Sequence, residues 1–240
     1  MLCFVVFNAS FLSSTSFLLS QLVTDKESGM RESLKIMSLN RWAYAMSFYL
    51  SQSVFTVFTT LVVFGVYIGI INGRTDLPNE RISMCQDSPE SLFFALLLFG
   101  LGLLAMTMLI STIFTDSKLS VQMGTFLLFL PVSTFLCCLV AVIMQKDAGK
   151  SGSNFLQIGY ILPQFSFGVI ILDSFFANGA KTLLDLNVIP AWICLFLSTP
   201  CYLGLYVYLD SIVPKALGIR LECCFCCKRK HMVRNEYTSV

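Results

Sequence analysis

The chain has 240 residues, of which 56% are apolar and only 12% charged, with a formal net charge of +2. A water-soluble domain carries about 25% charged residues, so a soluble globule is excluded. Six stretches contain no charged residue: 1–24, 42–73, 91–115, 119–145, 151–172 and 186–209. A membrane-spanning helix needs roughly 20 mostly apolar residues. The pattern predicts an all-α, polytopic helical membrane protein, and the intervals between spans leave no room for a soluble catalytic domain.

The first span is expected over 1–23. It carries Asn8, Ser10, Ser13, Ser14, Ser16 and Ser20. Small polar residues let membrane helices approach closely and bond across the contact. They also suit a polar translocation path, and both readings stand. Residues 24–40 break the apolar pattern. Met30, Leu34 and Met37 share one helical face, and Glu27 precedes Arg31 by four residues, the favourable order for an ion pair. A short amphipathic helix over 25–39 follows. It fits a helix lying at the headgroups and a docking surface for a partner equally well.

The second span is expected over 42–71, with Trp42 and Tyr44 at the interface belt. Gln52, Thr56, Thr59 and Thr60 make a polar stripe at helical spacing, a candidate lining for a translocation path. Gly65, Gly69 and Gly73 repeat at four-residue spacing, which permits close helix contact. The third and fourth spans, 91–114 and 119–144, are separated by the short turn that holds Asp116 and Lys118. So short a connection makes them antiparallel neighbours.

The stretch 155–178 is apolar but interrupted by Gln157, Pro163, Gln164 and Asp173. A full crossing there would move the chain's basic tail to the other side. Eleven of the sixteen Lys and Arg residues fall on one side if 155–178 returns to the face it entered. Basic residues accumulate in the cytosol. A re-entrant external hairpin is therefore preferred to a sixth span, with the N-terminus outside or lumenal and the C-terminus cytosolic. The last span is expected over 188–212. The tail, 221–240, contains Cys223, Cys224, Cys226 and Cys227 beside a basic run. Juxtamembrane cysteines of this kind suit palmitoylation. Unmodified thiols and a zinc site are the rivals, and four thiolates so close in sequence would strain around one ion.

Chemistry is sparse. Gly149-Lys150-Ser151 imitates the end of a phosphate-binding loop but lacks the earlier glycine, since position 144 is Met. The chain has one histidine, and no nucleophile–base pair is apparent. No catalytic residue, resident metal or nucleic-acid partner is expected. The middles of the five spans carry no ionisable residue, which disfavours a proton-coupled pump and suits an apolar or amphipathic cargo.

Four places resemble the membrane half of subfamily A ATP-binding cassette transporters, a family of large lipid exporters. The run from Asp25-Lys26-Glu27 through Arg31-Glu32-Ser33-Leu34-Lys35-Ile36-Met37-Ser38-Leu39 is similar to the family's coupling helix. Phe114-Thr115-Asp116-Ser117-Lys118-Leu119 resembles a cytosolic turn. Ile161-Leu162-Pro163-Gln164-Phe165-Ser166-Phe167-Gly168 resembles the external hairpin, and Tyr208-Leu209-Asp210-Ser211-Ile212-Val213-Pro214 the exit from the last helix. The resemblance implies five spans plus a re-entrant hairpin, in a type-two exporter fold. It implies a coupling helix that meets a nucleotide-binding domain through Glu27, Arg31, Glu32, Lys35 and Met37, with the Asp116–Lys118 turn as a second cytosolic contact. Membrane lipid would be the substrate. ATP and Mg would sit on a nucleotide-binding domain expected beyond Val240. The family's first helix and external domain would precede Met1, and a second transmembrane half would complete the transporter. The alternative is a non-transporting interaction or regulatory protein derived from such a domain.

Overall fold

A computed structural model of the chain describes residues 2–30, 41–73, 89–114, 116–147, 159–175 and 188–212. Arg31, Glu32, Lys35 and Met37 of the expected coupling helix lie outside the described residues, as do the four tail cysteines and the two ends of the expected hairpin. Among the described residues there are six α-helices and one 3-10 turn, and no strand.

Helix α1 runs Leu2–Glu27, α2 Arg41–Gly73, α3 Pro89–Ser111 and α4 Ser117–Asp147. A 3-10 turn, Gly159–Ile161, precedes α5, Pro163–Phe175, and α6 runs Val188–Ile212. Proline opens both α3 and α5, where its fixed φ suits the first helical position and its missing N–H costs nothing. Five helices are long and apolar enough to cross a membrane: Phe4–Glu27, Trp42–Gly69, Glu90–Ser111, Ser117–Val140 and Val188–Asp210. The protein is an integral, multi-pass membrane protein.

The boundaries differ from the sequence expectation in one place that matters. Helix α1 does not stop at 23 but continues through Glu27, so the first three residues expected in the amphipathic helix belong to the span. Backbone hydrogen bonding does not end where apolarity ends, and the three charged side chains there have partners described below. Helix α3 ends earlier than expected, at Ser111, and α4 begins two residues early and runs to Asp147.

Helix α3 is the hub. Two-thirds of its most apolar stretch (67%) is buried inside the bundle, against 17% for α2, which therefore lies at the periphery. It touches all five other helices, most extensively α6, while α1 packs chiefly along α4. Helix α5 has 13 residues. At 1.5 Å per residue it is roughly 20 Å long, short of the ~30 Å hydrocarbon core. It is buried on nearly every side between α3, α4 and α6.

Two side-chain clusters hold the bundle. The larger joins α1 to α3, α4, α5 and the start of α6 and is rich in phenylalanine. Phe99 of α3 stacks on Phe167 of α5 with ring centroids 4.1 Å apart and planes 6° from parallel. Phe135 of α4 meets Phe165 edge-on at 5.4 Å, and Phe4 lies 5.0 Å from Phe135. Such pairs contribute about 0.5–1.5 kcal/mol each beyond the burial of their area. The smaller cluster sits toward the other end of the bundle and joins Leu18 and Leu22 of α1, Tyr44 and Tyr49 of α2, Leu104 and Met108 of α3, and Leu203 and Tyr206 of α6.

Burial is inverted on α2. Gln52, Thr56 and Thr60 are buried, whereas Leu50, Val54, Phe55, Phe58, Leu61 and Val66 are exposed. Water would expel that arrangement. A hydrocarbon solvent favours it, because apolar side chains lose nothing by facing lipid.

Candidate functional site

Charge gathers where α1 ends. Consecutive helical residues project about 100° apart, so Asp25, Lys26 and Glu27 point to three different neighbours. The Tyr44 hydroxyl of α2 donates to Asp25 Oδ2 at 3.1 Å. The Lys26 ammonium donates to the carbonyl oxygens of Thr112, at 3.0 Å, and Phe114, at 2.8 Å, just past the end of α3. Glu27 Oε2 accepts the backbone N–H of Ser117, the first residue of α4, at 3.2 Å.

The signs match the helix dipoles. A cation lies at the C-terminal end of α3 and an anion at the N-terminal end of α4. Asp116 completes the anionic side: its Oδ1 accepts the Lys118 N–H at 3.0 Å, the capping bond of a helix N-terminus. Asp25 and Lys26 are half-buried, while Glu27 and Asp116 are exposed. The Lys26 bonds are therefore the stronger pair. Hydrogen bonds to a charged group contribute about 1.5–3 kcal/mol when sheltered, and exposed charge at a helix end about 0.3–1 kcal/mol.

The chain leaves α1 abruptly. The Ser28 N–H reaches the Thr24 carbonyl at 2.9 Å and the Gly29 N–H the Lys26 carbonyl at 3.4 Å. Gly29 then takes φ +70°, the left-handed conformation that ends helices and suits glycine.

Of the residues expected from sequence at the two contacts, Glu27 adjoins the turn that holds Asp116 and Lys118. Glu27, Asp116 and the Lys118 backbone meet at one point, the start of α4. Lys26, Asp25 and Tyr44 were not among the expected site residues. Their signal was nonetheless in the sequence: a lysine between two acids at the end of an apolar run, with a very short turn between the third and fourth spans to receive it.

The polar stripe of α2 is split. Thr59 is half-buried, and Gln52, Thr56 and Thr60 face the bundle. The Thr56, Thr59 and Thr60 hydroxyls each donate to the carbonyl four residues back, at 3.1, 2.9 and 2.8 Å. Thr56 also lies against Gly100 of α3, where a Cβ would come within 2.6 Å of its methyl carbon. These contacts favour helix packing as the use of this face. Gly65 and Gly69 have no neighbour where a Cβ would stand, so among the described residues these two glycines bring no helix close. Among the described residues, no three His, Cys, Asp or Glu side chains gather in a way that could hold a metal.

Residues 1–208 match the family described as ABC-2 family transporter protein. The chain is also similar to ABC transporter A family member 7 of Dictyostelium discoideum, with 25% identity over 199 residues. The match takes in 79% of this chain and 22% of that relative, so the chain spans about a fifth of the relative's length.

Proposed function

Since the chain belongs to the ABC-2 family of transporter proteins, we propose that it is the membrane domain of an ATP-binding cassette transporter that moves lipids across or out of a membrane. ATP hydrolysis is supplied by a nucleotide-binding domain that holds the ATP and Mg, and a second transmembrane half completes the pathway. The domain itself contributes no catalytic group. Its N-terminus faces outside or the lumen and the end of α6 the cytosol, so that α5 belongs to an external re-entrant hairpin and the end of α1 lies at the cytosolic face. The chain between α1 and α2, with Glu27, Arg31, Glu32, Lys35 and Met37, meets the nucleotide-binding domain, and the Asp116–Lys118 turn lies beside it.

The observation that carries this reading is the way the end of α1 is bound. Three consecutive charged residues tie it to α2, to the end of α3 and to the start of α4. A membrane helix that only anchored the chain would gain little from such ties. A helix that receives a load from a cytosolic motor needs them. The lipid cargo is supported by span interiors without ionisable residues and by the broad apolar face of α2.

Reconstitution tests the proposal. The assembled transporter, with its nucleotide-binding domain and second transmembrane half, is placed in liposomes with a fluorescent phospholipid, and accessibility to a membrane-impermeant quencher is followed. ATP-dependent movement is expected with the assembled transporter and none with the domain alone. Movement by the domain alone, or none with the assembled transporter across phospholipid, sterol and sphingolipid probes, would overturn it.

A further inference from the structure

The Lys26 tie is more specific than charge neutralisation at a helix end. Helix α3 closes by its own means: the Thr112 and Ile113 N–H groups donate to the Leu109 and Ile110 carbonyls, both at 3.1 Å. The Ser111 and Thr112 hydroxyls donate to the Met108 and Leu109 carbonyls at 2.6 and 2.8 Å. The last-turn carbonyls from Met108 to Ile110 are thus provided for locally. The carbonyls that Lys26 takes, Thr112 and Phe114, belong to the turn itself.

The next residue of α1, Glu27, holds the other end of the same turn through Ser117. Two adjacent side chains of α1 therefore grip the α3–α4 turn at both its margins. The helix that enters this turn is the hub on which α2, α5 and α6 pack. The grip is made from half-buried Lys26, and its donor reaches across 86 and 88 residues of sequence.

We propose that Lys26 is a positioning residue for transport: it makes the end of α1 and the α3–α4 turn move as one body, so that a displacement arriving at the end of α1 is delivered to α3 and α4. The role in transport rests on the reading that a nucleotide-binding domain acts at this face, whereas the joined motion of the two segments does not.

Two measurements test the two parts. Hydrogen exchange of the chain in lipid nanodiscs compares wild type with Lys26→Met, which keeps the aliphatic stem, and Lys26→Arg, which keeps a cationic donor. Amides of 112–118 are expected to exchange about tenfold faster or more in Lys26→Met, to stay near wild type in Lys26→Arg, and α5 is expected to be unchanged in both. Glu27→Gln keeps an acceptor without the charge and gives a smaller increase confined to the same turn. Unchanged exchange of 112–118 in Lys26→Met overturns the joined motion. Faster exchange throughout the bundle in both Lys26→Met and Glu27→Gln assigns these residues to folding and also overturns it.

The second measurement uses the assembled transporter in liposomes and reads lipid moved per ATP hydrolysed. Lys26→Met is expected to lower that ratio about tenfold, the usual size of a coupling between sites, with ATP hydrolysis and subunit association retained and Lys26→Arg restoring the ratio. An unchanged ratio together with a loosened turn overturns the role in transport. If wild type moves no lipid with ATP, the functional reading fails, and the exchange result still decides the joined motion.

Discussion

A lysine at the end of a membrane helix ordinarily extends its stem along the apolar surface and leaves its ammonium in water. Lys26 instead spends its donors on two backbone carbonyls of a neighbouring connection. The residues around it have separable roles, and each can be probed alone. Asp116→Ala removes the cap of α4 and is expected to destabilise the domain by about 1 kcal/mol. An Asp116→Asn variant retains most of that stability, since asparagine caps nearly as well. Denaturant titration in mixed micelles measures both. Gly29 is a second such position. Its φ of +70° strains any residue with a Cβ by roughly 1–2 kcal/mol, so Gly29→Ala is expected to lower stability by that amount although nothing crowds the site. Gly29→Asn should cost less, because asparagine tolerates the left-handed region better than alanine.

At the scale of elements, α5 is placed by aromatic packing rather than by length. Gly168 lets the Phe135 ring of α4 lie against the α5 backbone; a Cβ there would stand 2.5 Å from two ring carbons. Gly168→Ala is therefore expected to cost about 1–3 kcal/mol, as overpacking does. The double variant with Phe135→Leu should recover part of the loss, because the crowded atoms are those of the ring's far side. Thermal unfolding of the three variants decides it, and full additivity would count against the contact.

Much of this level was legible beforehand. The charge-free runs marked the helices, since apolar length is a strong signal in a bilayer. The proline at 163, read as an interruption of an apolar stretch, instead opens the continuous helix α5. The helix ends were less legible. Apolarity stops at 24, yet α1 continues to Glu27 because its last charged residues find partners that only the tertiary arrangement supplies. The particular ties of Asp25, Lys26 and Tyr44 were not legible for the same reason: Tyr44 is 19 residues from Asp25 and the carbonyls that Lys26 takes are 86 and 88 residues away, and backbone carbonyls carry no signature in side-chain identity.

For the whole molecule, the direction of burial identifies the solvent. On α2, Thr56 and Thr60 point inward, and Phe55 and Phe58 outward. Phe58→Asp on the exposed face is expected to impair insertion by about 2.5–3.5 kcal/mol, the cost of a charge near the middle of a membrane helix. Thr60→Val on the buried face should change stability by less than about 1 kcal/mol, because its hydroxyl serves only its own helix and the shape is conserved. A membrane-insertion assay and a stability titration would separate the two. Equal sensitivity at both positions would mean that α2 does not face lipid as described.

The stacked rings of Phe99 and Phe167 take on another meaning once the opposite end of α3 is considered. From Phe99 to Ser111 the helix climbs roughly 18 Å, and an α-helix of that length is stiff along its axis. A push of one ångström at the lower fitting must therefore surface at the upper one almost whole. On the proposed reading, the stacked pair is where a displacement of α3 would reach the short buried helix.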